Sequence, residues 1–339
     1  KTSTVKLGAG DDKLLLKASG ATAGATYVFA EAGNDTIKIE GTSALTVSDL
    51  IDGGEGTDTL VIDNNVDNAM VLRGIEKLTL TKNATGENVI NSADSAIAVT
   101  AEVDNNAVNL TGLTSGSTVT VNDAKDATGG VAALTVGYKA LETAATIDVN
   151  SVKANAAVTI NNVTAATIDY AKSASSATAG ITTNETTSLN IIAAKDVNTG
   201  AIASSNKLKT LTITGQDAVT TGAVSSTALE TVTVSGVKNI DINNAAAAFA
   251  EAGKLKTVNV TSTTGDSKVG SIGGSNANNT TDALNITVSA AKAATLGTVG
   301  HATGSGKLGD ISVTATNGLL TAGAITGTDA GTITLTSTA

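Results

Sequence analysis

Cysteine, proline and tryptophan are absent from all 339 residues, and histidine occurs once, at His301. Disulfide frameworks, thiol catalysis and Cys/His zinc sites are therefore excluded, and a Ser-His-Asp relay would hang on that one imidazole. His301 lies in the glycine-rich run TVGHATGSGK and reads as a solvated loop residue. The same run fails as a phosphate loop, because Lys307 is followed by Leu308 where Ser or Thr is needed. Any catalysis would rest on carboxylates such as Asp11 and Asp12. The aromatic and basic residues that line polysaccharide-cleaving grooves are nearly missing, so the chain reads as a non-enzyme.

Aromatic residues are also scarce, at 1% against 41% hydrophobic residues overall. A thick globular interior draws on large rings, whereas a core about 10 Å deep between two sheets is filled by Val, Ile and Leu. No apolar run reaches the roughly 18 residues of a spanning helix, so membrane insertion is not expected. The opening KTSTVKLGAG has neither a signal-peptide pattern nor an initiating Met, which is the expectation for a processed or truncated piece of a longer chain. The net charge is −10. Nucleic acid and anionic membranes are poor partners for such a surface, and cations are good ones.

What is present is repetition. LGAGDDKLLLK from Leu7, AEAGNDTIKIE from Ala30 and GGEGTDTLVID from Gly53 superpose, with Asp12, Asp35 and Asp58 spaced 23 residues apart both times. Each interval runs strand, small-residue turn, strand, Gly/Asp loop. One such unit cannot bury two short strands, but stacked units can, with rungs about 4.8 Å apart. The fold class is therefore all-β, a β-solenoid or β-roll of stacked short strands rich in Thr, Ala, Asn and Gly. All three Gly/Asp loops are expected on one edge.

Past Asp63 the glycine loop is lost while strands continue. GIEKLTLT at Gly74 resembles KLKTLTITG at Lys207, ALETVTVSG at Ala228, KLKTVNVTS at Lys254 and, more loosely, KLGDISVTA at Lys307. Leu208, Leu229 and Leu255 lie 21 and 26 residues apart, so rung length varies. At most one or two short helical insertions are expected, the best being NNAAAAFAEAGK with Asn244 and Gly253 as caps. A soft boundary separates residues 1–82, the rungs with Gly/Asp loops, from 83–339, an irregular solenoid continuation.

The pattern G-G-x-G-x-D-x-U is met in full by Gly53, Gly54, Gly56, Asp58 and Leu60. The first copy keeps Gly8, Gly10 and Asp12, and the second keeps Gly33 and Asp35, with Ala30 and Glu31 in the places of the glycine pair. Glu31 is a candidate additional ligand. Glycine allows left-handed turns that direct carbonyl oxygens outward, and aspartate adds a hard anionic oxygen. Ca²⁺ takes six to eight such oxygens at about 2.3–2.6 Å, close to half the rung spacing. The same carboxylates stacked without a cation repel by about 3 kcal/mol per pair at an effective dielectric near 20. The bland alternative is three Gly-Asp hairpin turns, which the even spacing and the apolar strand after each copy disfavour.

These residues resemble the calcium-binding repeat of RTX-type β-rolls. The loop GGEGTDTLVI followed by GIEKLTL and long Thr/Ala/Asn-rich strands is similar to the calcium-dependent surface-layer proteins of Gram-negative bacteria exported by type I secretion. That resemblance covers Leu7 to Thr81 specifically, and the remainder only in composition and in its strands. It implies a secreted, cell-surface protein that assembles with copies of itself into a lattice or filament ordered by Ca²⁺, with cell-surface polysaccharide as a second partner. The stalk of an RTX-like adhesin is the alternative. A polysaccharide-modifying solenoid ranks lower, as does an ice-binding array built on Thr210, Thr212, Thr214 and Thr332, Thr334, Thr336, whose spacing between rungs is uneven in sequence. Asn-x-Thr triplets such as Asn83 and Asn259 are expected by chance in so Asn- and Thr-rich a chain.

Overall fold

The computed structural model describes residues 2–18, 24–41, 48–63, 70–81, 90–92, 95–125, 127, 129–151, 157–170, 180–242, 249, 254–273, 283–300, 307–327 and 331–338. Among them every regular element is a β-strand, every described pairing is parallel, and the strands form a β-solenoid. His301 lies outside the described residues, as does most of the helix candidate at 244–253. Its one described member, Phe249, is buried and forms an isolated bridge to Ile272. The chain divides into two compact units, Lys1–Val163 and Thr164–Ala339.

In the first unit, β1 (Ser3–Ala9), β3 (Thr26–Ala32), β5 (Leu50–Asp52) and β7 (Met70–Arg73) stack in one sheet. β2 (Lys13–Ala18), β4 (Thr36–Gly41), β6 (Thr59–Asp63) and β8 (Lys77–Leu80) stack in another. Alternation along each strand sets the register. Ile37, Leu60, Leu78, Val99, Val119 and Ile147 form one inward column across successive rungs, and Ile39, Ile62, Leu80, Ala101, Val121 and Val149 form the next. All are at most 2% exposed. A slip of one residue would turn both columns to solvent, and burying each Val, Leu or Ile contributes about 1.5–3 kcal/mol, so register is strongly fixed.

The boundary expected at residues 82 and 83 falls outside the described residues. Within one stack, β8 before it and Ala98–Val103 after it pair directly.

The second unit repeats the scheme with other spacings. Ser188–Ala193, Thr210–Gly215, Thr231–Gly236, Thr257–Ser262, Leu284–Ala290, Leu308–Ala315 and Ile333–Ser337 stack in parallel. The repeated LxT strands are in register, with Leu211, Val232, Val258, Ile286 and Ile311 in one buried column. Two of the outward columns are uncharged. Asn190, Thr212, Thr233, Asn259, Thr287, Ser312 and Thr334 form one, so the hydroxyl array that is uneven in sequence is regular in space. Of the five Phe and Tyr residues, Tyr138, Tyr170 and Phe249 are buried. The core is otherwise aliphatic, as a thin two-sheet interior allows. Burial pushes the Tyr138 hydroxyl up to about 12, with Glu142 acting in the same direction, while that hydroxyl donates to the Ser117 carbonyl at 2.7 Å.

Candidate metal centre

The three Gly/Asp loops link β1 to β2, β3 to β4 and β5 to β6, and they stack directly on one edge of the first unit. Gly8 pairs with Glu31, and Ala32 bridges Glu55, which places Gly10, Gly33 and Gly56 in one column and Gly8, Glu31 and Gly54 in another. The turns are nearly in contact. A Cβ on Gly56 would lie 1.9 Å from the Gly33 carbonyl oxygen, and the φ of 137° is itself hostile to a side chain. Glu31 sits among these glycines with φ at 76°, a strained value for a non-glycine residue. Its exposed carboxylate reaches Lys6 Nζ at 3.9 Å.

Two ladders of side-chain hydrogen bonds run through the loops in opposite directions. On the outside, Asp11 Oδ1 accepts from the Asn34 N–H at 2.7 Å, and Asn34 Oδ1 accepts from the Thr57 N–H at 3.0 Å. On the inside, Asp35 Oδ1 accepts from the Asp12 N–H, Asp58 Oδ1 from the Asp35 N–H, and Glu76 Oε2 from the Asp58 N–H, all at 2.7 Å. The expected trio of aspartates is thus one connected column. Asp12 is half-buried, whereas Asp35 is 1% exposed and Asp58 is fully buried.

The second oxygen of each buried aspartate is the unusual feature. Asp35 Oδ2 and Asp58 Oδ2 are buried without a hydrogen-bond partner. A buried charged group in that state is rare and costly, because desolvation is not offset. Burial pushes the Asp58 carboxyl above the ordinary aspartate value. The like charges of Asp35, Glu76 and Asp52 push the same way, against the Asp35 N–H, which favours the charged form.

Gly53 explains where Asp58 Oδ2 goes. A Cβ there would lie 2.1 Å from the Gly74 carbonyl oxygen and 2.6 Å from Asp58 Oδ2, so both oxygens press on the same bare side of Gly53. In the preceding loop Ala30 holds the corresponding place, with a methyl group where Gly53 has none. These donors fit a hard cation: a buried anionic oxygen lacking a partner, a main-chain carbonyl beside it, and no sulfur or imidazole. Among the described residues no three acidic or histidine side chains gather closely enough to hold an ion alone. Carbonyl oxygens would have to complete any shell, as they do in glycine-rich calcium loops.

No family model, curated protein or solved structure matches this chain. Function must be argued from the ladder itself.

Glu76 is the ladder member that the glycine pattern did not reveal. Its loop has lost the glycines, but Glu76 precedes Lys77, Leu78, Thr79 and Leu80 just as Asp58 precedes Thr59, Leu60, Val61 and Ile62. Aligning strands instead of glycines finds it.

Proposed function

We propose that this chain is a structural, self-assembling protein of the cell exterior whose first rungs are ordered by Ca²⁺. The observation that carries this reading is the column of Asp35 and Asp58, each buried with one unpartnered carboxylate oxygen on adjacent rungs. Two carboxylates one rung apart, at about 4.8 Å, repel by about 3 kcal/mol at an effective dielectric of 20. A divalent ion between rungs reverses that sign. Sites built from few carboxylates and loop carbonyls are weak, of the 10⁻⁴–10⁻³ M class found in extracellular modules, and they fill only where calcium is millimolar. At ten times its dissociation constant the ion adds about 1.4 kcal/mol per site.

The second unit supports the structural part of the proposal. Glu76 belongs to an Ile-Glu-Lys-Leu run whose counterparts there are Leu-Lys-Thr and Leu-Glu-Thr, so the same place is held by Lys209, Glu230 and Lys256 on consecutive rungs. Glu230 and Lys256 pair at 3.4 Å. Alternating signs offset one another in that column, and the outer sheet face beside it carries two columns without a charge, made of Ser, Thr and Asn apart from Ile192. Charge depletion is the mark of surfaces that pack against another surface.

Electron microscopy and light scattering of the purified chain, with millimolar calcium and with chelator, test the proposal. Sheets, tubes or filaments that form only with calcium are expected. A protein that gains β-structure with calcium yet stays monomeric is a stalk of the adhesin kind. One that is indifferent to calcium in both respects ends the reading.

A further inference from the structure

One oxygen cluster in the ladder is not between two Gly/Asp loops. It lies after the third one, where the repeat ends. The turn from β5 to β6 spans six residues, 53–58, whereas the turn from β7 to β8 spans three, 74–76. The interval between ladder members falls from 23 residues to 18 at the same step. A shortened turn withdraws its backbone from the column, and a longer side chain restores the reach. Glutamate stands there instead of aspartate, and its Oε2 still meets the Asp58 N–H at 2.7 Å.

We propose that Asp58, Glu76 and the Gly74 carbonyl form a divalent-cation site at the end of the ladder, with Gly53 kept bare so that the Asp58 side chain and the Gly74 carbonyl can pack against it. The site rests on the calcium reading above and assigns Glu76 as a ligand from outside the glycine repeat. Three observations meet here. Asp58 Oδ2 is fully buried and unpartnered. The Gly74 carbonyl oxygen crowds the same side of Gly53 as that oxygen, at 2.1 and 2.6 Å from the place a Cβ would take. Glu76 is linked to Asp58 through the backbone N–H and brings a second negative charge to the cluster.

A merely structural account of Glu76 is also available, since it caps a buried N–H. The two accounts part on charge. In Glu76→Gln an amide oxygen remains to accept from the Asp58 N–H, so a capping role survives while a charged ligand is lost. Calcium titration of the full chain by calorimetry, at fixed ionic strength, separates them. Expected is the loss of one site, or a fall of at least about tenfold in the affinity of one site, the scale on which even an outer-shell partner acts. Magnesium, which demands a tighter octahedral shell, should not substitute. Asp12→Asn, at the far end of the ladder, should leave that site in place.

Wild-type stoichiometry and affinity in Glu76→Gln would overturn the assignment and leave the three-aspartate ladder standing. A wild-type chain that takes up no calcium at millimolar concentration overturns both readings together. Should Glu76→Gln fail to fold, Glu76→Asp keeps the charge and shortens the reach by one methylene. It is expected to weaken one site, and unchanged binding by it refutes the proposal equally.

Discussion

Replacing Asp58 by asparagine should stabilise the calcium-free protein and destabilise the calcium-loaded one. Asparagine has the same shape and keeps an oxygen for the Asp35 N–H, but it removes a charge that is fully buried between Asp35 and Glu76. Each neighbouring carboxylate at about 4.8 Å opposes that charge by about 3 kcal/mol at an effective dielectric of 20. Against this relief stands a buried amide NH₂ in place of the unpartnered Oδ2, at a cost of about 1–3 kcal/mol. The net gain without calcium is on the order of 3 kcal/mol, or about 6–12 °C for a unit of this size. With calcium, the variant forfeits the mass-action gain of each site it breaks. Circular-dichroism melts of wild type and variant, each in chelator and in millimolar calcium, give the four numbers needed. A variant that is destabilised equally in both conditions would refute the reasoning, because Asp58 would then be only a hydrogen-bonding group.

Further outcomes follow from the same geometry. Because the Asp58 carboxyl is raised in the folded state, its contribution favours folding below the unfolded aspartate pKa, near 3.9, and is lost as pH rises through the raised value. Calcium-free wild type should therefore gain stability relative to Asp58→Asn as pH falls toward 4, measured as the difference between their denaturant midpoints. Gly56→Ala should unravel the loop stack, since its Cβ would meet the Gly33 carbonyl at 1.9 Å, and loss of calcium-dependent dichroism reads this out. Ile62→Ala, in the fully buried column, should cost about 2–5 kcal/mol whether or not calcium is present. Thr212→Lys combined with Thr233→Lys should block assembly seen by microscopy and leave the monomer's melting nearly unchanged, as both side chains face outward in adjacent rungs.

The parts of the fold set by pairing were visible in the residues. Asp12, Asp35 and Asp58 recur at one interval because parallel rungs with equal loops must repeat equally, and the LxT strands at Leu208, Leu229 and Leu255 are buried and in register as their likeness suggested. Other features depend on direction, which a repeat does not encode. Nothing in GGEGTDTLVID says that Asp58 turns inward onto the preceding rung while Asp11 and Asn34 reach onto the following one. Glu76 is hidden because its loop has lost the glycine pattern, whereas its place in the ladder is defined by the strand after it. The hydroxyl columns looked uneven for the opposite reason. Variable turns spread Thr212, Thr233 and Asn259 along the chain, and register brings them level.

The inner ladder also gives the stack a sense of arrival. Each rung's aspartate N–H is satisfied only by the carboxylate of the next rung, so a coil growing from its first strand always ends in a bare donor that recruits its successor. Such a coil behaves as a polar polymer with one hungry end, and Glu76 is where that appetite stops: the Ile97 that follows has no carboxylate to offer, and the Ile97 N–H turns instead to the neutral Ser117 hydroxyl.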